Sequence, residues 1–194
     1  LPEAEKRARQ AEASQRSDAA RLAIRQRFAG SGQDPGSLER TRRMAITDPP
    51  AASLEEAVTG ADLVIRGTVV LLDFAHPGAQ GIVTRVKVES VLKGDAGAEV
   101  LVEQVGDLDL DVDGDLVLGE ADYAPVLFKG DEAILLLTRH PNGSGRYLVH
   151  PWSGRYLVAG GRVEPLPANA AIAAAWRGRD VATFEAELRK AALR

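Results

Sequence analysis

The sequence predicts a mainly β fold, an antiparallel barrel preceded by a helical arm and followed by helices. Three observations carry that expectation. Between residues 61 and 166 apolar side chains alternate with polar ones in several short runs, which is the period of a strand. Gly, Pro and Asp clusters that turn a chain separate those runs. Residues 3–29, and the chain after Pro167, are instead Ala-rich and favour helix.

The N-terminal stretch EAEKRARQAEASQRSDAARLAIRQRFA has no Pro or Gly. Its apolar stripe is thin: Ala20, Ile24 and Phe28 share a face at i, i+4 spacing with Leu22 off it, so only the second half has much to bury. GSGQDPGS at 30–37 breaks the helix and TDPPA at 47–51 punctuates the chain again. This divides the sequence into an arm and linker over 1–50 and a barrel domain with a helical cap over 51–194.

Ser53 and Glu56 have the spacing of a capping box, and Gly60 is placed to end that short helix in a left-handed conformation. In 61–74 the residues Leu63, Ile65, Gly67, Val69 and Leu71 share one parity, with Gly67 marking a bulge or bend. IVTRVKVESVLKG after residue 81 reads as a strand with one wet face, and 98–106 and 131–139 supply two more. GRYLV occurs at 145–149 and again at 154–158, an offset that suits neighbouring hairpin strands joined through HPWS. Gly160-Gly161 fits the two positive φ angles of a type I′ turn. An antiparallel meander is the economical arrangement, and closing it protects two apolar edges. Ala170 to Trp176 then form one helix ended by Gly178. Asp180 caps a second whose stripe is Val181, Phe184 and Leu188, with Trp176 and Phe184 as anchors on the barrel.

Charge is unevenly spread: residues 1–50 carry +3, residues 51–166 carry −9 and residues 167–194 carry +2. An acidic barrel segment with few aromatics argues against nucleic acid as a partner, unless Arg146, Tyr147, Arg155 and Tyr156 form one exposed face. The absence of cysteine excludes disulfides, Cys-based metal sites and thiol nucleophiles. No apolar run reaches the length of a membrane span, so stable membrane insertion is not expected. A start at Leu1 rather than Met fits removal of an export signal or trimming of the chain.

SLEEAVTGADLVIRGTVV at 53–70, TRVKVESVLKGD at 84–95, APVLFKGDEAILLLTR at 124–139 and the paired GRYLV…GRYLVAGGRVEPL resemble a loosely defined set of exported bacterial domains. Those domains look like small β-barrels of OB-like topology, similar in outline to the tissue-inhibitor and netrin-type barrels. The resemblance spans 53–166 and implies an OB-like barrel in an extracytoplasmic bacterial setting, with a protein or cell-envelope component as partner. The matched positions are core and turn residues, so they speak to fold and hardly to function. The tissue-inhibitor mechanism needs an N-terminal cysteine that this chain lacks.

Residues 109–120, DLDVDGDLVLGE, match the EF-hand spacing D-x-D-x-D-G-x5-E. In that reading Asp109, Asp111 and Asp113 offer carboxylates, Asp115 its carbonyl and Glu120 a bidentate closure of a Ca2+ shell, with Asp122 as an alternative oxygen ligand. The competing readings are a disordered acidic insertion and a metal-free hairpin with a three-residue loop Val112-Asp113-Gly114. The hairpin sets Leu110 opposite Leu116, Leu108 opposite Leu118 and Asp109 opposite Val117. Like charges across such a ladder repel, and a cation would relieve them.

His76, His140 and His150 each precede proline, no metalloprotease, phosphate-loop or nucleophile-elbow motif is present, and Ser144 in NGSGR reads as a turn residue. The expectation is a noncatalytic exported binding or structural module, calcium-stabilised if the EF-like spacing is used. An OB-like nucleic-acid-binding domain, or a hydrolase with an unrecognised site, is the alternative.

Overall fold

The computed structural model describes residues 3–43, 51–111, 113–121, 124–150, 152–166 and 171–194. The linker 44–50, Val112 of the hairpin loop, and Asp122 lie outside them.

Helix α1 (Glu3–Ser31) leads through a 3-10 turn at Pro35–Ser37 into strand β1 (Glu39–Arg43). A short helix α2 (Leu54–Gly60) precedes the main strands β2 (Leu63–Asp73), β3 (Ile82–Lys93) and β4 (Glu99–Gln104). The acidic segment forms β5 (Gly106–Leu110) and β6 (Leu116–Ala121). It is followed by β7 (Glu132–Arg139), β8 (Tyr147–Val149), β9 (Arg155–Ala159) and β10 (Arg162–Leu166), and the chain closes with α3 (Ala171–Trp176) and α4 (Val181–Ala192).

Strands β7, β2, β3, β4 and β8 pair in that order, and β8 pairs back to β7, which closes a five-stranded barrel of OB-like form. Every pair in the ring is antiparallel except β4 with β8, where Val102 lies opposite Tyr147 and Glu103 opposite Leu148 in parallel. The ring therefore departs from the expected meander. The chain leaves the barrel after β4 to build the β5–β6 hairpin, returns on the far side of β2 as β7, and only then closes with β8. A second sheet of order β1-β6-β5 stands beside the barrel, with β1 parallel to β6.

β7 shows why the wall reads as an unbroken apolar run, AILLL. Ala133, Leu135 and Leu137 enter the barrel with Leu63, Ile65, Val86, Val102 and Val149, whereas Ile134 and Leu136 face the opposite way. That outer face is covered by Ala57 and Val58 of α2 and Phe184 and Leu188 of α4. Phe184 is fully buried, with its ring centroid 4.7 Å from Tyr156 and 4.8 Å from Trp176, so the expected anchors do hold the C-terminal helix on the barrel. Arg66 of β2 adds a polar tie, pairing with Glu132 of β7 and Glu185 of α4. Asp180 caps α4 by accepting from the Thr183 N–H at 3.0 Å.

Several local expectations hold and others change. Ser53 caps α2, but Glu56 reaches back to the Ala52 N–H at 2.7 Å rather than to that of Ser53. Gly60 ends α2 without entering the left-handed region, because the chain leaves directly into extended backbone at Ala61 (φ −86°). Gly67 sits at a register shift against β3, where an added Cβ would lie 2.4 Å from the Lys87 carbonyl oxygen. Gly160 and Gly161 both have positive φ in the two-residue turn between β9 and β10.

The two GRYLV segments do not pair with each other. Both run along the same edge of β7: Tyr147 lies opposite Arg139 and Val149 opposite Leu137, while Arg155 lies opposite Leu135 and Leu157 opposite Ala133. His150 and residues 152–154 belong to a bulge between them, framed by the His150 N–H donating to the Leu136 carbonyl and the Leu136 N–H donating to that of Gly154. Trp152 at its tip has a positive φ of 61°, a conformation that costs a bulky side chain energy and is held here by packing on Ala121 and Ala124. Beyond the bulge one edge line serves two sheets: β8 seals the ring, and β9 carries the β9–β10 hairpin.

Candidate functional site

The acidic segment is a hairpin in the expected register, with Leu108 opposite Leu118, Asp109 opposite Val117 and Leu110 opposite Leu116. Turn chemistry accounts for much of its aspartate content. Asp111 Oδ1 accepts from the N–H groups of Asp113 (2.9 Å) and Asp115 (2.8 Å), and Gly114 takes φ 83°. The Asp115 carbonyl accepts from the Asp111 N–H at 3.0 Å. Asp113 and Asp115 point to solvent.

Glu120, the twelfth residue of the EF-like pattern, is placed differently. It is 2% exposed, stands opposite Gly106 at the far end of the hairpin, and its Oε2 accepts from the Val126 N–H at 3.0 Å. Because Asp109 faces Val117 and side chains alternate along β6, Asp109 and Glu120 project from opposite faces of the sheet. Among the described residues no group of three or more Asp, Glu or His is gathered as a metal site. Asp109, Asp111, Asp113, the Asp115 carbonyl and Glu120 are therefore distributed along the hairpin.

What the hairpin does gather is arginine from α1. Asp107 Oδ1 accepts from Arg25 Nε and Nη2, each at 3.1 Å, and Arg21 Nε lies 3.6 Å from Asp107 Oδ2. Arg27 Nη1 donates to the Gly114 carbonyl at 3.0 Å, at the tip of the turn. Beneath these pairs Ile24 and Phe28 pack, only partly buried, on Leu108, Leu118 and Phe74; the Phe28 and Phe74 rings meet edge-on at 5.2 Å. The second half of α1 thus docks, as its stripe requires. The three arginines were not singled out in the sequence, although the contrast between a +3 arm and a −9 barrel was the signal that could have found them.

The seat is wider than the helix. A groove of about 490 Å3 runs between Ala20, Arg21 and Ile24 on one side and the hairpin on the other, with Gly106, Gly119 and Ala121 leaving room along its floor and Val105 at its rim. A second hollow of about 610 Å3, sharing Arg21 and Gln80 with the first, lies against the β2–β3 loop, bordered by Leu22 and Gly78.

That loop is held from inside by a buried carboxylate. Glu103 Oε1 accepts from the N–H groups of Gln80 (2.8 Å) and Gly81 (3.0 Å), Oε2 lies 3.0 Å from Arg146 Nε, and Arg146 Nη2 donates to the Gly78 carbonyl at 2.8 Å. His140 Nε2 lies 3.6 Å from the same Oε2, while its Nδ1 accepts from the Asn142 N–H. With Glu103 6% and Arg146 5% exposed, this pair fastens a loop from beneath and presents no reactive face.

Arg146, Arg155 and Tyr156 are buried and Tyr147 half-buried, so the four do not form an exposed face on which bases could stack. Burial among apolar neighbours pushes the Tyr156 phenol well above its ordinary range. Ser144 is the expected turn residue, its N–H donating to Asn142 Oδ1 at 3.0 Å. No helix among the described residues is long and apolar enough to cross a membrane. Comparison with known proteins finds no family model that matches the chain and no matching curated relative.

Proposed function

We propose that the chain is a noncatalytic binding module in which the barrel is scaffold and the face built by α1 and the β5–β6 hairpin receives a protein partner. The observation that carries this reading is the open groove beside α1. It combines a floor of small residues, an exposed apolar Val105 and a charged rim of Arg21, Asp107 and Asp109, the mixture of apolar centre and polar border found in protein interfaces. Two buried carboxylates, Glu103 beneath the β2–β3 loop and Glu120 in the wall of the groove, are engaged by backbone N–H groups.

The resemblance to exported bacterial domains supports an extracytoplasmic place for the module, and cell fractionation tests it. The hairpin needs no calcium in this reading, since its turn is held by Asp111 and the Asp115 carbonyl. Calorimetry on chelator-stripped protein should show no calcium heat up to about 1 mM, the weak end of extracellular calcium modules. A calcium heat that Asp109→Ala and Glu120→Gln each abolish would restore the EF-like site.

The partner face is tested by site-specific photo-crosslinking in cells. Val105 at the groove and Leu71 on the barrel are almost equally exposed, at 47% and 45%, so they form a matched pair of crosslinker positions. A discrete protein adduct from Val105 but not from Leu71 is the expected result. Equal labelling from both, or none from Val105, would remove the groove from consideration.

A further inference from the structure

The contact between α1 and the hairpin is built like an association between two molecules rather than like a domain core. Its apolar part is two half-buried side chains, Ile24 and Phe28. Its directional part is charge: Arg25, with only 12% of its side chain exposed, on Asp107, Arg21 on the same carboxylate, and Arg27 on the Gly114 carbonyl. Open hollows of about 490 and 610 Å3 lie against the helix, and Leu22 at the second is half exposed. By contrast, the helix that caps the barrel seats Phe184 and Leu188 with 0% and 1% exposure. A segment with few buried apolar contacts opens at a small fraction of the global unfolding free energy.

The chain joining α1 to its seat is suited to release. Gly32 and Gln33 separate the helix, which ends in Gly30-Ser31, from the Asp34 turn, and Gly32 already has φ 68° with open space around it. After that turn Leu38 is buried in the same apolar cluster as Leu108 and Leu118, so the seat keeps its own anchor when the helix leaves. A short hinge between an element and the rest of the fold is the arrangement from which identical elements exchange between copies.

We propose that α1 is an exchangeable element: the seat on the β5–β6 hairpin accepts α1 from a second copy of this chain, and two copies pair by reciprocal helix exchange. The inference rests on the reading of this face as a protein-binding surface and names one partner for it. The occupant is a second copy because the complement to the seat is already written in the chain, a basic helix face against an acidic hairpin with Arg25 and Asp107 as the matched pair. The open groove stays lined by hairpin residues whichever copy supplies the helix.

A charge-exchange pair tests the proposal. Arg25→Asp repels its own Asp107, and Asp107→Arg repels its own Arg25, but each variant's helix suits the other's hairpin. Light scattering on each variant alone should give the monomer mass, and an equal mixture should give a species of twice that mass at tens of micromolar protein. A mixture that stays monomeric while both variants keep the native circular dichroism overturns the exchange. If either variant loses its fold, the native chain decides. Concentrated protein is held in about 1 M salt, where charge screening shortens to roughly 3 Å, and then returned to low salt. A dimer that persists on dilution supports exchange, and monomer alone overturns it. Crosslinking from Val105 is independent of this outcome, since an adduct with a different protein would leave the binding face standing while the helix stays at home.

Discussion

The barrel wall and the acidic hairpin are both β-structure, yet they are stabilised in different ways. β7 is apolar on both faces because one face fills the barrel and the other meets α2 and α4, and its backbone is paired on both edges. The hairpin has one apolar face, Leu108 with Leu118, and keeps its shape through an aspartate-bonded turn, a buried Glu120 hydrogen bond and arginines from another element. The first is a structure of area and the second a structure of specific polar partners. The difference teaches where adaptability is to be sought: a surface that must accept another molecule belongs on the part that can rearrange without exposing the core.

The largest effect should come from the wall. Phe184→Ala removes a fully buried ring wedged between Tyr156 and Trp176 and should cost about 3 to 5 kcal/mol in urea denaturation, lowering a single cooperative transition. A loss below about 1 kcal/mol would put α4 on the same footing as α1 and erase the contrast. Asp111→Ala should cost about 1 kcal/mol, the scale of a side-chain hydrogen bond, and the loss should be local. Faster amide exchange at Asp113 and Asp115 with an unchanged barrel would sharpen the contrast, whereas a matching fall in barrel protection would show that the two regions unfold as one.

The smallest effect at neutral pH is expected from Tyr156→Phe. The phenol is 1% exposed and its oxygen has no hydrogen-bond partner among the described residues, so replacing it should leave stability at pH 7 unchanged or slightly raised. The pH dependence carries the sign. Burial raises the phenol's folded-state pKa, so the neutral form is favoured in the native protein; stability is fully present below about pH 10, the ordinary tyrosine value, and falls as pH rises beyond it and the unfolded chain ionises. Melting curves taken from pH 8 upward should show this alkaline loss, and it should be reduced in Tyr156→Phe. An unchanged alkaline limb would assign it to other groups.

The sequence made much of this architecture legible where the cause is local. Alternation exposed β2, β3 and β4, a continuous apolar run exposed β7, and the hairpin register followed from parity, because a one-residue slip would have sent Leu108 and Leu118 to the aspartate face. What stayed hidden depends on distant partners. ERTRR at 39–43 has no apolar period, and its strand exists because β6 lies beside it some 80 residues later. The two GRYLV segments are alike because each pairs with β7, a third strand that their similarity cannot reveal. Part of the EF-like spacing also serves the turn, since an aspartate two residues before an Asp-Gly turn is what closes a tight loop on its own backbone. The arginines of α1 were visible only as a regional charge, because nothing local says which carboxylate they will meet.

β8 is three residues long, and its pairing with β4 covers only Val102 with Tyr147 and Glu103 with Leu148. It has a neighbour on each side, β4 and β7, and those two strands are separated in the chain by the whole hairpin. In kinetic terms the expected outcome is a four-stranded sheet that closes late around a narrow seam, with the seam as the first place for a folded chain to breathe. Its speed of closure should follow the 140–146 turn that delivers β8, while its resistance to unfolding should follow the wall opposite.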